Sequence, residues 1–129
     1  MKIIYDRWYS NTPKKIIVHI TTFEEAENLI IRLDQIEFTE VFFETDDAIF
    51  KIIGGSGNYL ISLTTKKNHF ELRNDESGLK KEQIAIINDS KLKLYSSAKI
   101  VTIEKALTAA HFFFKNGSID KSLKWEKIH

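Results

Sequence analysis

Residues 50–63 read FKIIGGSGNYLISL, two apolar runs around three glycines in four positions. No other stretch of the chain limits its possible folds so strongly. Such a loop either cradles a phosphate or bends the chain between two strands. A P-loop needs G-x-x-x-x-G-K-[ST], and no Gly-Lys-Ser/Thr follows these glycines. A dinucleotide-binding loop needs G-x-G-x-x-G between a strand and a helix, with the helix N-terminus facing the anion. Here the following residues, NYLISLTT, alternate like a strand. The glycines therefore mark a β-hairpin, with Gly54, Gly55, Gly57 and Asn58 as the residues expected at positive φ.

The remaining pattern extends this hairpin into an α+β fold. KKIIVHI (14–20) is β-branched and apolar and reads as a strand. TFEEAENLIIRLDQI (22–36) reads as a helix that opens with a Thr22–Glu25 capping box and buries Ala26, Leu29, Ile30 and Leu33. FTEVFFET and AIFKII are strands separated by Asp46-Asp47, and HFELR, EQIAIIN and SLKWEKI read as further strands. Residues 89–98 carry no decisive pattern, and NDESG (74–78) reads as a polar loop. VTIEKALTAAHFFFKNG is a helix with Thr102 as N-cap and Gly117 as its left-handed stop. Its buried stripe is Ile103, Ala106, Leu107, Ala110, Phe113 and Phe114. The expected architecture is a mostly antiparallel sheet meander with two amphipathic helices packed on one face. A chain of 129 residues without a linker or repeat makes residues 1–129 a single domain.

Composition excludes several functions. There is no cysteine, so disulfide scaffolds, cysteine nucleophiles and thiolate metal sites are out. The N-terminal MKIIYDRWYS has an apolar run of three residues and then charges, which is neither a signal peptide nor a membrane span. The expectation is a cytoplasmic protein. His19, His69, His111 and His129 show no paired ligand spacing, so no metal is expected. His111 falls off the apolar stripe of its helix and reads as partly buried or at an interface. No G-x-S-x-G elbow frames a serine. A pair of catalytic carboxylates from distant segments stays open as an enzyme reading. No cofactor is expected.

Net charge is +1, which argues against direct nucleic-acid binding. Its distribution is uneven. Residues 22–49 hold nine acids against Arg32 alone, a net of −8, whereas the three flanking segments are each net positive. Helix capping accounts for Glu24 and Glu25. It does not account for Glu37, Glu40, Glu44, Asp46 and Asp47, which lie past the helix on a strand and its turn. Strand alternation puts Glu40, Phe42 and Glu44 on one face and Val41 and Phe43 on the other. Val41 and Phe43 are expected inward, and Glu40 and Glu44 outward beside a partly exposed Phe42.

The run IIGGSGNYLISL followed by VTIEKALTAAHFFFKNGSIDKSLKWEKI resembles the immunity-protein-one family of bacterial polymorphic toxin and contact-dependent inhibition systems. Its pattern is a double glycine at a strand end, an alternating strand, then a helix with an early alanine, a late phenylalanine and a glycine stop, and finally a tryptophan. The positions here that resemble it are Gly54, Gly55, Ala106, Phe113 or Phe114, Gly117 and Trp125, within residues 48–128. A proline common between the glycine stop and the tryptophan is absent. The resemblance implies a non-enzymatic antidote that binds one cognate toxin domain and blocks its active site or substrate path. The matched residues look like fold determinants. Specificity then belongs on unmatched, charged positions, which makes Glu37, Glu40, Phe42, Glu44, Asp46 and Asp47 the candidate toxin-binding residues. Against a nucleic-acid-acting toxin, such a surface would mimic phosphates. If it fails, the surface expected next is RNDESGLKK (73–81). The alternative is a small ligand-binding or adaptor α+β domain, which a large apolar pocket would favour.

Overall fold

The computed structural model describes residues 1–74 and 82–128. Most of the expected polar loop and of RNDESGLKK, residues 75–81, lies outside the described residues, as does His129. In chain order the elements are β1 (Lys2–Tyr9), β2 (Thr12–His19), α1 (Phe23–Ile31), β3 (Glu40–Glu44), β4 (Ala48–Gly55) and β5 (Asn58–Thr65). Then come β6 (His69–Leu72), β7 (Gln83–Asn88), β8 (Lys91–Ser96), a 3-10 turn at Ser97–Lys99, α2 (Ile103–Asn116) and β9 (Trp125–Ile128). Among the described residues seven strands form one sheet in the order β2-β1-β3-β4-β5-β6-β9, and β7 and β8 form a separate hairpin. Every adjacent pair is antiparallel. The fold is α+β, as the sequence pattern implies.

One face of the large sheet carries the main core. Ile3, Val41, Phe43, Phe50, Ile52, Ile61 and Leu63 point into it, and α1 and α2 cover it with Ala26, Ile30, Ala106, Ala110 and Phe113. Three phenylalanines occupy its centre. The Phe50 ring stacks on Phe113 at 5.1 Å, and Phe43 meets both edge-on at 5.7 and 6.3 Å. The early alanines of α2 let the helix approach the strands closely enough for this contact. Trp125 is half-buried at the rim, where its indole N–H donates to the Asp120 carbonyl at 3.0 Å. The opposite face has its own smaller cluster. Ile86 of β7 and Ile100 pack on Ile53, with Phe42, Leu60, Ile84 and Tyr95 around them.

Several local expectations hold and others change. Thr102 caps α2 by accepting from the Lys105 N–H at 3.4 Å, and Gly117 ends it at φ 71° with its N–H on the Phe113 carbonyl at 2.7 Å. Thr22 is the N-cap of α1, yet its side chain makes no cap hydrogen bond, so the capping box does not close. α1 also stops at Ile31, short of the expected end. Beyond it the Asp34 carboxylate accepts from the N–H groups of Ile36, Glu37 and Phe38 at 2.9, 2.9 and 3.0 Å and bends the chain back toward the sheet. In the β4–β5 hairpin the turn is Ser56-Gly57, at φ 53° and 92°, and Asn58 is not at positive φ.

Gly55 lies against this bend. A Cβ there would stand 2.7 Å from the Asp34 backbone nitrogen and 2.8 Å from the Leu33 carbonyl carbon, at φ 150°. The neighbours are backbone and cannot swing away. Gly117 has the opposite character: positive φ, but nothing within 4 Å of the same Cβ. Gly55→Ala is therefore expected to destabilise more than Gly117→Ala, whose cost is about 1–2 kcal/mol from the left-handed backbone alone. Chemical denaturation of the two variants checks the ranking. Phe113→Ala should cost about 3–5 kcal/mol, since it empties the centre of the main core.

Candidate functional site

A buried carboxylate outside the acidic stretch, on β1, holds the stretch where it enters β3. Asp6 of β1 is 3% exposed. Its Oδ1 accepts from the backbone N–H of Thr39 at 2.7 Å and of Glu40 at 3.1 Å. Its Oδ2 accepts from the Trp8 indole at 2.9 Å and from the Thr39 hydroxyl. Four donors satisfy the group, and two of them are the backbone entering β3.

Glu40 follows directly, and here the expectation of an outward, exposed carboxylate is corrected: Glu40 is 7% exposed. Its face of β3 does hold Phe42 and Glu44, as alternation requires, and both are partly exposed as expected; Glu40 alone is enclosed. Phe42 belongs to the second cluster under the β7–β8 hairpin, with the Lys51 ammonium 5.1 Å from its ring centre. Burial pushes the Glu40 carboxyl above its ordinary value of 4.5, and the negative charges of Asp6 and Asp89 push it further against the opposing Lys15 and Lys51. For Asp34 burial also works upward, but the N–H groups of Phe38, Ile36 and Glu37 outweigh it and hold that carboxyl below its usual range.

The other candidates separate along β3. Glu37 lies before the strand, paired with Arg7 at 3.1 Å between Nε and Oε2. Glu44 lies at its far end, paired with Lys2 at 3.5 Å. Asp46 and Asp47 form the β3–β4 turn. The Thr45 N–H donates to the Ala48 carbonyl at 2.9 Å, and the Thr45 hydroxyl oxygen accepts from the N–H groups of Asp47 and Ala48 at 3.3 and 3.1 Å. This turn needs nothing from the aspartate side chains. Both are exposed, and neither has an ion pair among the described residues.

The turn stands as a ridge between two shallow concavities. One of about 640 Å³ is lined by Met1, Ile20, Thr21, Glu44, Asp46 and Phe114. The other, about 340 Å³, is lined by Glu44, Asp46, Asp47, Ile49, Thr64 and Lys66. Thr21 leads into the first turn of α1, where Glu24 and Glu25 are exposed. Positive charge nearby is partly engaged: Lys2 with Glu44, and the Met1 ammonium with the Ile20 carbonyl at 3.1 Å. The result is an acidic ridge with Phe114 and Ile20 at the floor beside it. The structure thus keeps Glu44, Asp46 and Asp47 together, sets Glu37 apart at the other end of β3, buries Glu40, and packs a half-exposed Phe42 against the hairpin. Among the described residues no group of three or more His, Asp or Glu is placed to hold a metal ion. No protein-family model and no curated protein matches the chain.

The raised Glu40 carboxyl has a definite sign. Between its unfolded and folded pKa the native state binds more protons, so its contribution to stability falls as pH rises through that window. Glu40→Gln should therefore raise the urea midpoint at neutral pH. The gain should disappear once the pH falls below the unfolded carboxyl pKa. Denaturation at both pH values measures it. A charge reversal at Glu40, by contrast, would place a lysine in a buried site and report on folding rather than on any partner.

Proposed function

We propose that this chain is an immunity protein, a non-enzymatic antidote that binds a cognate bacterial toxin domain in the cytoplasm and blocks its active site or substrate path. The observation that carries the reading is the Asp46-Asp47 ridge: two exposed carboxylates without an ion pair among the described residues, on a hydrogen-bonded turn beside the apolar side chains of Ile20 and Phe114. An apolar anchor with a charged rim is the anatomy of a specific protein interface. Exposed acids of this kind steer association with a basic cleft such as that of a nucleic-acid-acting enzyme. The sequence resemblance supports the same reading, and the close packing of Gly55 on Asp34 gives its double glycine a structural purpose. Among the described residues no helix is long and apolar enough to cross a membrane.

One observation favours the ligand-binding alternative. A cavity of about 90 Å³ between β5, β6 and the hairpin is lined by Ile53, Leu60, Ser62, Glu71, Tyr95 and Lys99. The buried Glu71 Oε1 accepts no hydrogen bond there and is balanced by the Lys99 ammonium at 3.4 Å. Small-molecule sites usually measure about 300–1,000 Å³, so this volume weighs against it.

The test is the pair of substitutions Asp46→Lys and Asp47→Lys. Stability should change little, because both side chains are exposed and neither has an ion pair among the described residues. Association with the cognate toxin should slow by about tenfold at low ionic strength. The difference should shrink as salt rises. Growth protection against the toxin should weaken in parallel. Unchanged on-rates and full protection would remove this ridge from the interface.

A further inference from the structure

The β7–β8 hairpin has two long edges, and the fold treats them differently. Asp89-Ser90, at φ 54° and 63°, is a two-residue turn, and Asn88 faces Lys91 across it. In such a hairpin the closing pair exchanges backbone hydrogen bonds and every second pair after it does the same. The N–H and C=O groups of Ile87, Leu92 and Leu94 therefore point away from the hairpin. On the β7 side Gln35 closes the edge. Its Oε1 accepts from the Ile87 N–H at 2.6 Å, and its Nε2 donates to the Ile87 carbonyl at 3.4 Å. A glutamine amide stands there in place of a neighbouring strand. On the β8 side, among the described residues, nothing pairs with the outward groups of Leu92 and Leu94.

The side chains of this open edge alternate. Leu92 and Leu94 are 70% and 64% exposed and lie on one face with Ile87 and Ala85. Lys91 and Lys93 are exposed on the other face. Lysines commonly blunt an edge against indiscriminate pairing. Here they also select its partner. An antiparallel two-fold pairing with a second copy keeps side chains on their own faces, so within β8 each lysine meets another lysine, in the registers centred on Leu92 or Lys93, or Tyr95, in the one centred on Leu94, and never an acid. Like charges directly opposite one another destabilise a ladder. A strand that offers acids opposite Lys91 and Lys93 and apolar residues opposite Leu92 and Leu94 meets both demands.

We propose that β8 is a docking edge for an extended segment of a partner protein in which acidic and apolar residues alternate, added antiparallel as a third strand to the β7–β8 hairpin. This is strand addition, with affinity from backbone hydrogen bonds and selectivity from alternate side chains. It is independent of the antidote reading and involves a different surface of the molecule.

The experiment uses the full chain, ¹⁵N-labelled, and the synthetic peptide acetyl-Glu-Val-Glu-Val-Glu-Val-amide as probe. Two further peptides carry backbone N-methyl groups, one at the valines and one at the glutamates. In the proposed register the valines exchange hydrogen bonds with Leu92 and Leu94, and the glutamate N–H groups face away. The unmodified and glutamate-methylated peptides should shift the amides of residues 91–95 and slow exchange at Leu92 and Leu94, and the valine-methylated peptide should not. The variant Lys91→Glu with Lys93→Glu should bind the probe at least about tenfold more weakly and accept the lysine-valine counterpart instead. Absence of shifts at millimolar probe, or equal binding of all three peptides, would overturn the proposal. So would concentration-dependent shifts of the same amides without peptide, which would assign the edge to a second copy.

Discussion

The carboxylate of Asp6 is the contact on which the sheet depends. A buried charge is tolerated only when hydrogen bonds replace its water. Here two of the replacements are the N–H groups of Thr39 and Glu40, the entry to β3. The chain leaves β2, forms α1, and must return between β1 and β4. Asp6 marks the place where it can do so with every donor satisfied. The register Tyr5↔Val41 and Ile3↔Phe43 follows, and it sets Val41 and Phe43 on the helix-covered face. A slip of one residue would put Phe42 into that core and Phe43 under the hairpin. From the other side Gly55 holds the same bend, because only a residue without Cβ lets β4 close on Leu33 and Asp34.

That clamp also explains why a continuous acidic stretch in the sequence is not a continuous acidic patch in space. Residues 34–47 run from the bend, along a strand covered on both faces, to an exposed turn. Each acid takes its role from its place on that path. Asp34 organises the bend, Glu37 and Glu44 make half-exposed pairs with Arg7 and Lys2, Glu40 is enclosed, and the turn aspartates stand exposed without an ion pair among the described residues.

Much of this architecture is legible in the sequence because its signals are local. Alternation marks β3 to β6, and Thr102, the apolar stripe and Gly117 delimit α2. The misses have nonlocal causes. β1 shows no clean alternation because both of its faces are partly covered, with Asp6 buried on one and Ile3 on the other. β8 does alternate, as KLKL, but its leucines face outward and Tyr95 faces the second cluster, so an apolar-inward reading of that alternation names the wrong face. For Glu40 alternation names the face but not the burial, which depends on groups distant in sequence. The Thr22–Glu25 pattern is present and its side-chain bond is not. Gln35 carries no signal at all: only the fold brings its amide to the edge of β7.

The inequality of the two apolar clusters has a consequence for motion. The main core draws on both helices and on the strands of the large sheet, whereas the hairpin rests on Ile53, Ile86 and Ile100, a few surrounding side chains and the Gln35 clasp. Cooperative units open with free energies that follow the apolar contact they lose. The hairpin is therefore expected to open before the large sheet, and its amides to exchange with solvent faster than those of β3, β4 and β5.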